Sequence, residues 1–399
     1  MKEKIVGVIM FILFLAAGGA GGYALAAWAD RVELDAGEFV FYAAFLLVSI
    51  YIAYFIQTIL HEGGHLIFGL LSGYTFCSFR IGSFLWMREN GRIVRKRYAL
   101  AGTGGQCLMA PPDMQDGKVL YVLYNLGGVL VNLITGAFFL AAALLLSGAV
   151  LPQIFFGCLA VLGFLAALTN GIPMKAALIN NDGQNIVDIG KSREAMNSFW
   201  VMMKIGELQT KGMMLREMPE EWFRVPDENE TGNPITVSRA IFVENRLVEE
   251  RRFEEASRLC DRLLSMESAA IIGVYRTVLV CDRIYFELIG TQDEAVLSQW
   301  TEKRHQKMLR QMKNNLTVLR TEYAWTLLYR GGNGAGKEAE TGKGTEQALK
   351  LRTRFEKCAA SYPYPADAAN ERALMELAEK RCEERKTKGE ISGNQEVSA

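Results

Sequence analysis

The sequence predicts a mainly α-helical polytopic membrane protein. It has about four transmembrane helices, a membrane-surface β-hairpin and a C-terminal α-helical (tetratricopeptide-like) cytoplasmic domain. Three observations predict it. Residues 1–190 hold 11 of the 44 Lys and Arg and 11 of the 44 Asp and Glu, so the first half is charge-poor and the rest charge-rich. Four stretches of the first half, 5–28, 39–60, 119–147 and 150–171, are apolar over the ~20 residues that a bilayer crossing needs. From about 192 onward, apolar residues recur three and four apart between charges, the period of amphipathic helices. The boundaries that follow are a membrane part at 1–190, a helical part at 191–385 and a disordered tail at 386–399. Basic and acidic residues balance at 44 each, so no overall field favours nucleic acid.

The first stretch follows "MKEK". Its apolar core is too long for a signal peptide and lacks a cleavage site, which predicts an uncleaved anchor. The loop after it, "WADRVELDAGEF", is acidic with one Arg, whereas "RENGRIVRKR" follows the second stretch. Basic segments stay on the cytoplasmic side, which places the N-terminus, segment 73–117 and the C-terminal half there. Four crossings return the chain to that side. The seven cysteines (77, 107, 158, 260, 281, 358 and 382) are odd in number and form no CxxC pair, so reduced thiols are expected.

Within 73–117 the helical pattern breaks. "SFLWMRE" and "RIVRKRYAL" flank Asn90-Gly91, a two-residue turn signal that predicts a hairpin, with Phe84, Leu85 and Trp86 near lipid. "AGTGGQCLMAPPD" reads as a Gly/Pro-rich connector. In the second half, "ENRLVEERRFEEASRLCDRLLS" reads as an amphipathic helix, and similar helices follow at about 270–292, 295–329, 345–360 and 365–385. "GGNGAGKEAETGKGT" is a loop. Its Gly331, Gly336 and Lys337 have the spacing of a phosphate-binding loop, but Glu338 stands where Ser or Thr should hold magnesium, and no strand precedes it.

The chemistry is concentrated in "LHEGGHL" at 60–66, at the end of "FYAAFLLVSIYIAYFIQTI". Residues four apart share a helix face, so His61 and His65 can direct imidazole nitrogens to one Zn²⁺, with Glu62 placed to act as general base toward its water. Two of the chain's three histidines are in this motif, and ionisable groups beside a span are costly unless functional. Gly63 and Gly64 weaken the helix but allow a second backbone to approach. A third ligand is required. His305, in "TEKRHQKMLR", reads as a solvated residue on a charged helix, so a carboxylate must serve. Asp182 and Asp188 follow the fourth span, whose end lies at the depth of the motif. Asp182, before Gly183 and after Asn180 and Asn181, is the choice and Asp188 the reserve.

Together, His61-Glu62-x-x-His65, Asn170-x-x-Pro173 and Asp182-Gly183 resemble the site-2 protease family of intramembrane zinc metalloproteases, in its compact bacterial form without a PDZ domain. "YNLGGVLVNL", with Gly127, Gly128 and Asn132, resembles the family's intervening small-residue segment, and the likeness covers about residues 40–190. The resemblance implies His61, His65 and Asp182 as Zn²⁺ ligands, Glu62 as catalytic base, and Asn132 and Asn170 as polar groups near the reacting carbonyl. It implies a membrane-anchored protein substrate, a bacterial plasma-membrane location, and a β element, here an edge within 79–100, that holds the substrate extended. The C-terminal domain would bind the substrate or a regulatory protein. One departure is the nine-residue step from Pro173 to Asp182, where the family has about five. Two other classes fit parts of the pattern: a prenyl-protein-processing membrane zincin, with a downstream Glu as third ligand, and a non-catalytic scaffold whose helical domain binds partners. A transporter is disfavoured by four spans without an inverted repeat.

Overall fold

The computed structural model describes residues 19, 22–23, 27, 30–31, 33–89, 91–100, 103–146, 148–175, 180–266, 270–329 and 343–395. The chain divides into two compact units, Met1–Gly82 with Thr103–Arg193, and Ser83–Gly102 with Glu194–Ala399. Three helices of the first unit are long and apolar enough to cross a membrane. Most of the expected first span, 5–28, lies outside the described residues, as does the segment with Gly331, Gly336 and Lys337.

Helix α1 (Ala36–Leu71) starts at a capping box: the Glu38 amide donates to Asp35 Oδ1 (2.8 Å) and the Asp35 amide to Glu38 Oε2 (3.2 Å). It passes through the His-Glu-Gly-Gly-His motif without a break. At 1.5 Å per residue, His61 lies roughly 33 Å along the axis from Phe39, a length comparable with a ~30 Å hydrocarbon layer. Leu47 and Tyr51 are more than two-thirds exposed on one side of α1. The other side buries Ser49, Ala53, Gln57, His61, His65 and Gly69 at steps of four. This stripe packs against α2 (Val122–Leu145) and α3 (Val150–Gly171), which also pack on each other. A short helix, α4 (Asp182–Ile189), closes the unit against the ends of both.

The segment between α1 and α2 holds more strand than the turn signal predicts. Strand β1 (Thr75–Ile81) pairs antiparallel with β4 (Gly105–Ala110), from Thr75 opposite Ala110 to Ile81 opposite Gly105, with a bulge between Phe76 and Ser78. The expected connector 101–113 thus contains a strand. Its residues alternate in burial, with Cys107 and Met109 inside. The hairpin itself is β2 (Phe84–Glu89) with β3 (Arg92–Arg97), grouped with the second unit. Glu89 faces Arg92 across a two-residue turn in which Gly91 has φ +77°, and Asn90 lies outside the described residues. Leu85 is buried, while Phe84 and Trp86 stay partly exposed on the opposite face. Tyr98, after β3, meets Tyr362 edge to face.

The rest of the second unit is helical: α5 (Arg193–Thr210), α6 (Pro234–Glu249), α7 (Phe253–Ser265), α8 (Gly273–Ile289), α9 (Glu294–Leu297), α10 (Lys303–Gln311), α11 (Leu316–Leu328), α12 (Lys343–Ala359) and α13 (Pro365–Gln395). The helix expected across 244–265 is two, α6 and α7, split at Glu250–Arg252, where Arg251 takes φ +61°. The stretch expected as one helix at 295–329 is likewise split, and Asn315 caps its last piece. Helix α13 continues to Gln395, past the expected start of the tail, and 396–399 lie outside the described residues. Among the described residues no cysteine forms a disulfide.

The core of this unit contains charge. Fully buried Arg320 on α11 bonds Asp282 of α8 and Glu371 of α13 (Nε to Oε2, 2.9 Å), and its guanidinium lies 4.2 Å from the Tyr285 ring centre. Glu244 on α6 is fully buried; Cys260 Sγ lies 3.6 Å from its Oε1, and its Oε2 meets no partner among the described residues. Burial, and then the charge of Asp282, push the Glu244 carboxyl well above the ordinary carboxylate range. The folded state therefore holds a proton that the unfolded chain has released. Stability is greatest below the ordinary carboxylate pKa and falls as pH rises toward the raised folded value. Glu244→Gln, which keeps shape without the proton, should flatten this fall. Thermal melts of the full chain should show its midpoint raised on the order of 3 °C over wild type at pH 8, with the two converging near pH 4.

Candidate metal centre

The His-Glu-Gly-Gly-His motif forms its site where α1 meets α2. A Cβ on Gly64 would lie 2.3 Å from the Gly127 carbonyl oxygen, and one on Gly127 would lie 2.4 Å from the Gly64 carbonyl oxygen. Only glycine at both positions permits this backbone contact. Gly128 lies beneath the His61 ring, where a Cβ would come within 2.5 Å of it. Gly63, by contrast, faces open space. Of the two motif glycines, Gly64 is the one that packing requires.

Both imidazoles are held from behind. His61 Nδ1–H donates to Asn132 Oδ1 (2.6 Å) and His65 Nδ1–H to the Tyr124 carbonyl (2.7 Å). Their Nε2 atoms then face each other at 3.2 Å. Asp182 Oδ2 completes a triangle, 3.1 Å from His61 Nε2 and 3.4 Å from His65 Nε2. These are the residues among those described that group as a candidate metal-binding set. Burial works to raise the Asp182 carboxyl, but wherever the His61 and His65 rings carry a second proton their hydrogen bonds to it overcome burial and hold its pKa below the ordinary value. The carboxylate is therefore available as an anionic ligand at any physiological pH. Two imidazoles and a carboxylate suit zinc and several other first-row divalent ions alike.

Asp182 is delivered by an arrangement that sequence reasoning did not single out. Asn181 caps α4 by accepting from the Gln184 amide (2.9 Å) and also accepts from the Met174 amide (3.0 Å). Its Nδ2 donates to the carbonyls of Thr169 (2.7 Å) and Ile172 (2.6 Å) at the end of α3. Gly183 lets α4 touch that end directly, since a Cβ there would lie 2.2 Å from the Gly171 carbonyl oxygen. The reserve ligand, Asp188, is instead fully buried with Lys191 (2.6 Å) and Asn180 (3.3 Å).

Glu62 is buried on the adjacent face of α1, with its carboxylate against β4: a Cβ on Gly105 would lie 2.6 Å from Glu62 Oε1. Arg80 of β1 donates to the carbonyls of Gly82 (2.7 Å) and Gly105 (3.0 Å) and to Thr103, which fixes the start of β4 there. The strand beside Glu62 is thus β4, outside the 79–100 interval expected to receive substrate. Asn132 stands behind the His61 ring. Asn170 donates to the Ala166 carbonyl of its own helix (2.9 Å). His305 is buried rather than solvated, and its ring bonds the Gln299 carbonyl (2.8 Å). Gln57 and Tyr124 were also missed. The polar and small residues recurring every four positions from Ser49 to Gly69 are the signal that marks Gln57; Tyr124 acts through its backbone, which leaves none.

Comparison with known proteins gives no further assignment: no family model, curated protein or solved structure matches the chain.

The two motif glycines should separate by experiment. Gly64→Ala forces the α1 and α2 backbones apart and should cost about 1–3 kcal/mol or more. Gly63→Ala meets nothing and should be neutral, or stabilising by up to about 1 kcal/mol through helix propensity. Thermal unfolding of both variants in detergent is the measurement, and equal midpoints would show that the Gly64–Gly127 contact is unimportant.

Proposed function

We propose that the protein is an intramembrane zinc metalloprotease of the site-2 type. It hydrolyses a peptide bond in or beside the membrane segment of an anchored protein, near the cytoplasmic face. The observation that carries this reading is the triangle of His61 Nε2, His65 Nε2 and Asp182 Oδ2, with edges of 3.1, 3.2 and 3.4 Å. Ligands about 2.0 Å from a tetrahedral zinc stand about 3.3 Å apart, so the donors fit the ion. The carboxylate from α4 also favours this reading over the prenyl-protein-processing class, which takes a downstream Glu.

A zinc ion bound there would make its water acidic and polarise the substrate carbonyl. The chain's own groups supply the rest. Glu62, one residue after the first ligand, accepts the proton of the attacking water and passes it to the leaving amine. Asn132 and Tyr124 orient the imidazoles. A helical substrate shields its own peptide bonds and must be extended to be cut. Strand β4 has no outer partner among the described residues and runs past Glu62, so an added substrate strand there would pass beside the base. The helical second unit, a tetratricopeptide-like stack in this reading, recruits the substrate or a regulatory protein. The three apolar helices agree with a membrane location; the bacterial plasma membrane and cytoplasmic termini are part of the proposal.

Glu62→Gln should keep the metal content of wild type and lose about 10²–10⁴-fold in rate. Quantitative proteomics of membrane fractions should then show one anchored protein accumulating in that variant. Asp182→Asn should lose metal by elemental analysis. An unchanged membrane proteome and phenotype in Glu62→Gln would instead favour the non-catalytic scaffold.

A further inference from the structure

Behind His61 runs a chain of amide groups whose direction is set at its far end. The Leu159 carbonyl on α3 can only accept, so the contact at 2.8 Å makes Gln57 Nε2 the donor. Gln57 Oε1 is then an acceptor, and Asn132 Nδ2 donates to it (2.8 Å) and to the Gln57 backbone carbonyl (3.2 Å). Asn132 Oδ1 therefore faces His61 and accepts from its Nδ1–H (2.6 Å). That leaves the lone pair of His61 on Nε2, which points at His65 and Asp182. A flipped Asn132 would set its oxygen against both Gln57 oxygens and its NH₂ against the His61 proton. Gln57 is 2% exposed and Asn132 fully buried, so no solvent would relieve these contacts.

We propose that Gln57 is a positioning residue: acting through Asn132, it sets His61 in the tautomer that presents Nε2 to a metal. The inference rests on the metal-site reading above, but it concerns a residue one helical turn away from any ligand. Gln57 touches α1, α2 and α3 at once, so it also makes ligand orientation depend on the packing of these three helices. Outer hydrogen-bond partners of histidine ligands affect metal affinity by about 10–100-fold, and Gln57 acts one bond further out than such a partner.

The experiment uses the full chain in detergent, with Gln57→Met, which keeps the length of the side chain and removes both amide functions. Cobalt titration followed by visible absorption should show about 10-fold weaker binding and a changed ligand-field spectrum. ¹⁵N NMR of the metal-free protein should find the neutral form of His61 protonated on Nδ1 in wild type and as a mixture of tautomers in Gln57→Met. Unchanged affinity and unchanged tautomer in the variant would overturn the inference. So would a wild-type His61 protonated on Nε2, a result that stands even if Gln57→Met does not fold. Wild type that binds no divalent ion, yet carries Nδ1–H on His61, would defeat the metalloprotease reading and leave the positioning role supported.

Discussion

The contact between Gly64 and Gly127 is the constraint on which the rest of the membrane unit depends. Helix backbones rarely come within touching distance, because side chains hold them 8–10 Å apart. Here the carbonyl of each glycine occupies the space that a Cβ on the other would fill. The approach brings the Tyr124 carbonyl and the Asn132 side chain of α2 within hydrogen-bonding reach of two imidazoles on α1. It also sets His61 over Gly128. A wider separation would leave both rings unsupported and free to turn.

The apolar surround of three helices long enough to cross a membrane explains why so many polar side chains act in series. In hydrocarbon a polar group has no water to bond, so each must find a partner within the protein. Gln57, Asn132 and His61 form one connected line from the α3 backbone, each bond fixing the direction of the next, and His61 Nε2 at its end faces the Asp182 carboxylate. A shorter line would strand an amide in an apolar core. The same requirement orders the residues along α1, where one side is exposed and apolar and the other carries Ser49, Gln57, His61 and His65.

Much of this was legible from residue order. His61, His65 and Asp182 meet as the motif spacing and the depth of the spans suggest, because four residues in a helix and the end of a span are both short-range facts. The α2 and α3 spans were legible from apolar length alone. Strand β4 was not, because Gly104, Gly105 and the paired prolines signal a loop while its partner, β1, lies 24 or more residues away. The break at Arg251 had no glycine or proline to announce it. His305 misled because its neighbours are charged, although its own face turns inward. Gln57 could have been found, since a glutamine within an apolar span and one turn before a ligand is costly without a role.

Asp182 reaches the two imidazoles from a separate helix, α4, nine residues after Pro173. The position of Asp182 is fixed by its immediate neighbours. Asn181 holds the end of α3 through two carbonyls and the start of α4 through the Gln184 amide, so its one side chain joins the two helix ends. Gly183 then removes the side chain that would push them apart. The imidazoles are held differently: one helix fixes both, and any insertion between them would rotate one ring away from the other.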